Sequence, residues 1–144
     1  MRKLLFAFTL IVLCFAGSGF AQAKKPKVLK YTAPFYPPAA LAMRLSEEIV
    51  VTVKIDGQGK VIEAKTESGH PLFRQSSVGS ARRWIFSADK SVAEREVRIF
   101  FNFRISEKYY GDNDKVKFKK PYRLEITAGK PVLEHSARRN VNKF

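Results

Sequence analysis

Apolar and polar residues alternate along three stretches of the chain, and such alternation is typical of half-buried strands. The first stretch covers residues 49–56, and the second covers residues 60–66 after the turn-forming Gly57-Gln58-Gly59. Because that turn is short and contains two glycines, the two stretches are predicted to form an antiparallel hairpin. The third stretch, residues 96–105, has the most regular alternation and one wholly apolar face. It is predicted to be a third strand of the same sheet.

Two further segments have the residue spacing of helices. Tyr36-Pro37-Pro38 is followed by strong helix formers over residues 39–45, which predicts a short first helix. After Ser68-Gly69-His70-Pro71, apolar side chains recur every three or four positions as far as Ile85, which predicts a second helix. The order helix, strand, strand, helix, strand favours an α+β fold: a two-layer sandwich with both helices on one face of a small antiparallel sheet.

Residues 107–144 form a basic extension that is predicted to contain one more strand or a hairpin. Apolar and polar positions alternate over residues 122–127, Ala128-Gly129 can turn, and Val132-Leu133 can return as a weak edge strand. We expect residues 122–127 to pair with the third strand of the sheet and to cover its edge, because an uncovered apolar edge favours aggregation. The alternative is an extension that packs elsewhere or stays disordered because of its lysines.

Residues 1–23 have the pattern of a secretory signal peptide. Arg2 and Lys3 precede an apolar run, and Ala21-Gln22-Ala23 supplies the small residues of a cleavage site. Cleavage would release the protein into the periplasm. The alternative is an uncleaved segment that anchors the chain in the inner membrane, facing the periplasm. Residues 24–33 follow as a basic linker, which is interpreted as a spacer.

The chain carries 27 Lys and Arg against 13 Asp and Glu, a net charge of +14 that favours anionic partners. Nucleic acid is excluded because a secreted chain leaves the cytoplasm. A secreted basic protein that associates electrostatically with anionic envelope surfaces is therefore the alternative function. Catalysis is not expected, because the sequence has no metal-ligand spacing or phosphate-binding loop and its one cysteine, Cys14, lies within the signal segment. No cofactor or metal is predicted.

Six sequence motifs in residues 34–106 resemble, in order and spacing, the C-terminal domain of TonB energy transducers. The motifs are Pro34-Phe35-Tyr36-Pro37 followed by Ala40, Val51-Thr52-Val53, Asp56-Gly57-Gln58-Gly59-Lys60-Val61, Ser68-Gly69-His70-Pro71-Leu72, Ala81-Arg82-Arg83-Trp84-Ile85-Phe86 and Phe101-Asn102-Phe103. The resemblance implies a periplasmic domain that binds a short peptide of an outer-membrane TonB-dependent receptor. It also implies that the work for transport comes from the ExbB–ExbD motor.

The third strand, residues 96–105, is expected to lie at a sheet edge, where unpaired N–H and C=O groups can accept the receptor peptide by β-augmentation. Strand exchange at the same edge would give a homodimer. The candidate peptide-binding residues are Arg98, Phe100, Asn102 and Arg104 on the polar face of this strand, and Tyr36 and Pro37 as the Tyr-Pro element of the family. The alternative for the four strand residues is a solvated face of the sheet without a binding role. The alternative for Tyr36 and Pro37 is a structural role at the start of the first helix.

The basic linker argues against a complete energy transducer. A transducer needs a membrane anchor and a long, stiff linker, whereas residues 24–33 reach at most about 35 Å when fully extended. Engagement of the motor proteins is therefore expected to be indirect. The predicted function is a periplasmic protein-binding module associated with TonB-dependent transport.

Overall fold

The structure, a computed structural model, describes residues 25–110 and 114–130. The predicted signal peptide, Cys14 and the predicted returning strand at Val132-Leu133 lie outside the described residues.

The α+β class is confirmed, with two helices packed on one side of a five-stranded sheet. Helix α1 is Pro38–Ala42 and helix α2 is Pro71–Ala81. Both begin with proline in the first turn, where its missing N–H is not needed. The strands are β1 (Val28–Lys30), β2 (Glu47–Asp56), β3 (Val61–Ser68), β4 (Ile85–Phe86), β5 (Glu94–Tyr110), β6 (Lys115–Lys119) and β7 (Arg123–Lys130).

The predicted hairpin is β2–β3, and the predicted third strand is β5. Strand β2 pairs antiparallel with β3 on one side and with β5 on the other. The turn between β2 and β3 uses Gly59 at φ 86°, where a Cβ would overlap the carbonyl group of Phe86. Glycine at this position is therefore required both by the backbone conformation and by the close approach of the neighbouring chain.

The large sheet has the order β3-β2-β5-β7-β6. Its three predicted strands, β3, β2 and β5, are antiparallel as expected, and the two strands of the extension make the sheet mixed. Strand β7 runs parallel to β5, and β6 runs antiparallel to β7 on the outside. The sequences of the two added strands explain this order. Strand β7 buries Leu124, Ile126 and Ala128 completely or almost completely, whereas β6 is rich in lysine, which suits an outer edge.

The predicted pairing of residues 122–127 with the third strand is confirmed. The register runs from Phe100 opposite Arg123 to Ser106 opposite Gly129, with an irregularity before Tyr110. The turn predicted at Ala128-Gly129 is wrong, because both residues lie inside β7. The reversal instead occurs at Lys120-Pro121-Tyr122, between β6 and β7.

The segment interpreted as a spacer is part of the folded unit. Strand β1 pairs antiparallel with β4 in a second, two-stranded sheet. The Lys27 N–H donates to Ser87 Oγ over 3.0 Å, and the Ser87 N–H donates to the Lys27 carbonyl over 2.8 Å. The spacer interpretation is therefore wrong for the described part of the linker.

Helix α2 ends at Ala81, short of the predicted end at Ile85. The indole N–H of Trp84 donates to the Thr32 carbonyl over 3.0 Å, and the Ser80 hydroxyl donates to the same carbonyl over 2.6 Å. These bonds draw the chain after α2 towards the N-terminal segment, and Ile85 then pairs with Lys30 in the small sheet. A non-local contact thus replaces the last helical turn.

The core lies between the helices and the apolar face of the large sheet. Its largest fully buried side chains are aromatic, and they contact one another edge to face or tilted. Such pairs contribute about 0.5–1.5 kcal/mol each beyond the area that they bury. The aromatic members are Phe73, Trp84, Phe86, Phe101 and Phe103.

Candidate functional site

Only part of the β5 edge is covered by β7. Strand β7 begins at Arg123, opposite Phe100, and the Phe100 N–H donates to the Tyr122 carbonyl over 2.9 Å. Because backbone groups alternate sides along a strand, the N–H and C=O groups of Glu96 and Arg98 face the same side as those of Phe100. Within the part of the chain that the structure describes, no strand pairs with them there. The part of β5 before Phe100, residues 94–99, is therefore an open edge.

A groove of about 740 Å³ runs along this open edge. Besides residues of β5, it is lined by Lys25 and Pro26 of the N-terminal segment and by Pro121 and Tyr122 of the hairpin turn. The Tyr122 hydroxyl donates to the Pro26 carbonyl over 2.7 Å, which ties these two segments together. Burial raises the pKa of this tyrosine, so the hydroxyl keeps its proton near neutral pH and remains a donor.

The groove contains charges of both signs. Arg95 and Arg98 line it together with Glu94 and Glu96. The Arg95 Nη2 donates to the Ser87 carbonyl over 2.7 Å, which holds the guanidinium group against the loop before β5. The Arg98 Nε lies 3.8 Å from a Glu67 carboxylate oxygen on β3, a weak and exposed ion pair. The Arg98 side chain can therefore turn towards a ligand at little cost.

The four predicted residues of β5 share the solvent face of the sheet but not the groove. Arg98 and Phe100 line the groove, whereas Asn102 and Arg104 lie farther along, where β7 flanks the strand. The Arg104 Nε donates to Asn102 Oδ1 over 3.2 Å. The expectation of a free edge along the whole third strand is thus wrong from Phe100 onwards, because the extension pairs there.

The comparison with protein families agrees with this architecture. The model of the family described as the Gram-negative bacterial TonB protein C-terminal matches residues 32–105. The chain belongs to this family. Its members are TonB-like periplasmic modules linked to TonB-dependent transport, and TonB C-terminal domains interact with outer-membrane receptors.

A solved structure shows the same fold. The solution structure of the Pseudomonas aeruginosa TonB C-terminal domain matches with a TM-score of 0.50 and 19% sequence identity, covering 62% of this chain and 95% of that chain. No curated protein matches the sequence. Strands β6 and β7 follow the residues that match the TonB family, so the cover on the β5 edge comes from this chain's own extension.

The TonB-type Tyr-Pro element lies at the start of α1. Tyr36 is only 6% exposed, and its ring contacts Phe73 and Phe103 edge to face. Its hydroxyl donates to the Leu45 carbonyl, and its N–H donates to Asp114 Oδ2 over 2.9 Å. Pro37 lies at the N-cap position of α1, where its carbonyl accepts from the Leu41 N–H over 3.0 Å. These contacts account for a structural role, and a role in peptide binding stays a prediction for both residues.

Apart from Arg98 and Phe100, the sequence reasoning named none of the residues that line the groove as candidates; Pro26, Arg95 and Tyr122 are the clearest examples. Pro26 belongs to the segment interpreted as a spacer, and Arg95 lies just before the predicted strand. Tyr122 was assigned to a strand, but its position beside Pro26 depends on a contact between the two ends of the described chain. No local pattern marks such a contact.

The described residues contain no group of three or more His, Cys, Asp or Glu side chains that could hold a metal ion. In the same residues, no helix has the length and apolar character needed to cross a bilayer.

Proposed function

We propose that this chain is a periplasmic module that binds an extended peptide by adding it as a strand to the open edge of β5, residues 94–99. The ligand we assign is the peptide box of an outer-membrane TonB-dependent receptor. The single observation that carries the proposal is the unpaired main chain of Glu96 and Arg98 along a groove of about 740 Å³. Membership of the TonB C-terminal family supports the transport context.

The small number of free main-chain groups on the open edge favours weak binding. Two residues with free N–H and C=O groups offer four main-chain hydrogen bonds, each with a net contribution of about 0.5–1.5 kcal/mol. The sum is about 2–6 kcal/mol before the cost of ordering the peptide, which is too little for tight binding. Contacts with the Arg98 stem would add affinity and selectivity, and contacts with the Phe100 ring would follow once Arg123 leaves that ring.

Strand β7 is a built-in competitor for the rest of the edge. It already occupies the positions from Phe100 to Ser106, so a longer peptide has to displace it. The Phe100 ring is also covered, because the Arg123 guanidinium lies over it at 4.8 Å from the ring centre and pairs with Glu48. We infer that full affinity requires release of the hairpin formed by β6 and β7.

The proposed module is a binding protein without catalytic activity, cofactor or metal. It reaches the periplasm through the predicted signal peptide and engages the ExbB–ExbD motor at most indirectly, because residues 28–30 of the predicted linker belong to the folded unit and leave little chain to act as a spacer after that peptide. Replacement of a full-length transducer by this chain is expected to leave receptor-dependent uptake unrestored. Restored uptake would show that the chain is a complete transducer.

A proline substitution at the open edge tests the binding mode directly. Arg98→Pro removes one N–H that faces the groove and leaves the β2 ladder intact, since Arg98 pairs with β2 in a position without backbone hydrogen bonds. Arg98→Ala is the matched control, because it removes the same side chain and keeps the N–H. Titration with a receptor-box peptide, followed by amide chemical shifts, is expected to show weaker binding for Arg98→Pro than for Arg98→Ala. Equal affinities, or shifts confined to another strand, would refute β-augmentation at this edge.

A further inference from the structure

A second cavity, of about 430 Å³, lies between the N-terminal segment and the hairpin turn. Three of its lining residues are lysines, and the others are apolar, proline or tyrosine; none is acidic. Both sides of the cavity belong to parts of the chain outside residues 32–105, which match the TonB family. The residues that line it are Lys25, Pro26, Lys27, Val28, Phe118, Lys120, Pro121 and Tyr122.

The positive charge of the protein is concentrated outside the family-matched domain. Residues 32–105 carry eleven basic and eight acidic side chains, whereas the rest of the chain carries sixteen and five. Within the described residues, no ion pair involves Lys25, Lys27 or Lys120. Three like charges around one cavity repel one another, so an anion bound there would be stabilised by all three.

The apolar part of the cavity suits a ligand that is more than an inorganic anion. Phe118 is half-buried and stacks on Tyr31, with ring centres 4.9 Å apart and planes 15° from parallel. Val28 is also half-buried and packs on the core. The next residue, Leu29, is 67% exposed, and Tyr31 is 43% exposed. Exposed leucine and tyrosine beside lysines are the side chains that favour a membrane–water interface.

We propose that this cavity binds the headgroup of an anionic phospholipid at a membrane surface. The three lysine ammonium groups hold the phosphate, and Phe118, Val28 and the prolines contact the glycerol and the first methylene groups. Leu29 enters the interface beside the site. The cavity adjoins the peptide groove and shares Lys25, Pro26, Pro121 and Tyr122 with it. Lys27, Val28, Phe118 and Lys120 line the cavity alone, so signals and variants at these positions report on the cavity and not on the groove.

Binding of short-chain, monomeric phospholipids to the secreted protein tests the assignment. The probes are dihexanoyl phosphatidylglycerol, dihexanoyl phosphatidylcholine and inorganic phosphate, and the amide shifts of Lys27, Phe118 and Lys120 are followed. We expect phosphatidylglycerol to bind at this cavity, at least tenfold more tightly than phosphate, and phosphatidylcholine not to bind. The double variant Lys27→Gln/Lys120→Gln is expected to lose about 30-fold in affinity, since each lysine near an anionic surface contributes about 1 kcal/mol.

Two further variants keep the test decisive. Lys60→Gln/Lys90→Gln removes the same charge from exposed positions that do not line the cavity and is expected to bind normally. Lys27→Arg/Lys120→Arg keeps the charge and is expected to retain binding. An equal loss in the Lys60/Lys90 variant would show unspecific attraction and refute the site. Equal affinity for phosphatidylglycerol and phosphatidylcholine, or for phosphatidylglycerol and phosphate, would refute the lipid assignment.

Discussion

Ile126 anchors β7 against β5, and its replacement by alanine tests whether the extension competes with a peptide for the β5 edge. The side chain is fully buried, and its Cα partners are Phe103 of β5 and Val116 of β6. Ile126→Ala therefore creates a cavity where the hairpin meets the core. The substitution leaves every residue of the open edge and groove unchanged.

The expected magnitude follows from burial. Replacing a fully buried isoleucine by alanine typically costs about 2–5 kcal/mol. If the hairpin undocks as a local unit, this cost raises the undocked population by about 30-fold to several thousand-fold. The affinity for a receptor-box peptide that spans positions 96–106 is expected to rise by the same factor, until the hairpin is mostly undocked.

Hydrogen exchange and peptide titration measure the two consequences. Amides of β5 that face β7, those of Phe100, Asn102 and Arg104, are expected to exchange faster in Ile126→Ala. The matched control is Ile55→Ala, because Ile55 is also fully buried but lies in β2. It should lower global stability without selective exposure of these amides and without a gain in peptide affinity.

Two results would refute the reasoning. One is unchanged peptide affinity in Ile126→Ala together with unchanged exchange of the three amides. The other is an equal gain in peptide affinity in Ile55→Ala, because general destabilisation would then explain the effect. Concentration-dependent dimerisation of Ile126→Ala, without a gain for peptide, would show that a second copy uses the freed edge instead.

Three shorter predictions concern stability, pH and processing. Gly79→Ala is expected to raise the free energy of unfolding by up to about 1 kcal/mol, or about 4–8 °C in Tm, because alanine favours the helix more than glycine does. The added Cβ would meet no atom within 4 Å, so it would cause no clash. A lower Tm in thermal unfolding would contradict this. A hydrogen bond from Lys119 lowers the pKa of Glu125 below 4.5. The stabilisation of the hairpin by this pair is therefore present above pH 4.5 and is lost as the pH falls through the lowered pKa. Glu125→Gln should abolish this pH dependence in the protection factors of the β7 amides, which correct for the pH dependence of exchange in an unfolded chain. Mass spectrometry of the secreted protein is expected to show Lys24 as the first residue, and an intact Met1 would disprove cleavage.

The groove shows how far local patterns reach. Arg98 and Phe100 could be assigned to the polar face of β5, because a period of two reports which side of a strand is buried. The same period holds no information on where a neighbouring strand begins. The structure alone therefore separates Phe100, at the start of the covered edge, from Arg98 on the open edge.

The sequence by itself determined the two helices, the β2–β3 hairpin, β5 and their buried faces, because helix and strand periodicity, turn glycines and helix-starting prolines are local properties. It also indicated the pairing of residues 122–127 with β5, because an alternating apolar strand needs a partner. It did not reveal β4, which lies where the end of α2 was predicted. The tertiary structure alone decided that β7 runs parallel to β5 inside the basic strand β6, and that β1 pairs with β4. It also decided that Tyr122 bonds to Pro26 across 96 positions of the chain. These are contacts between distant residues, and they are set by which surfaces remain to be buried once the local elements have formed.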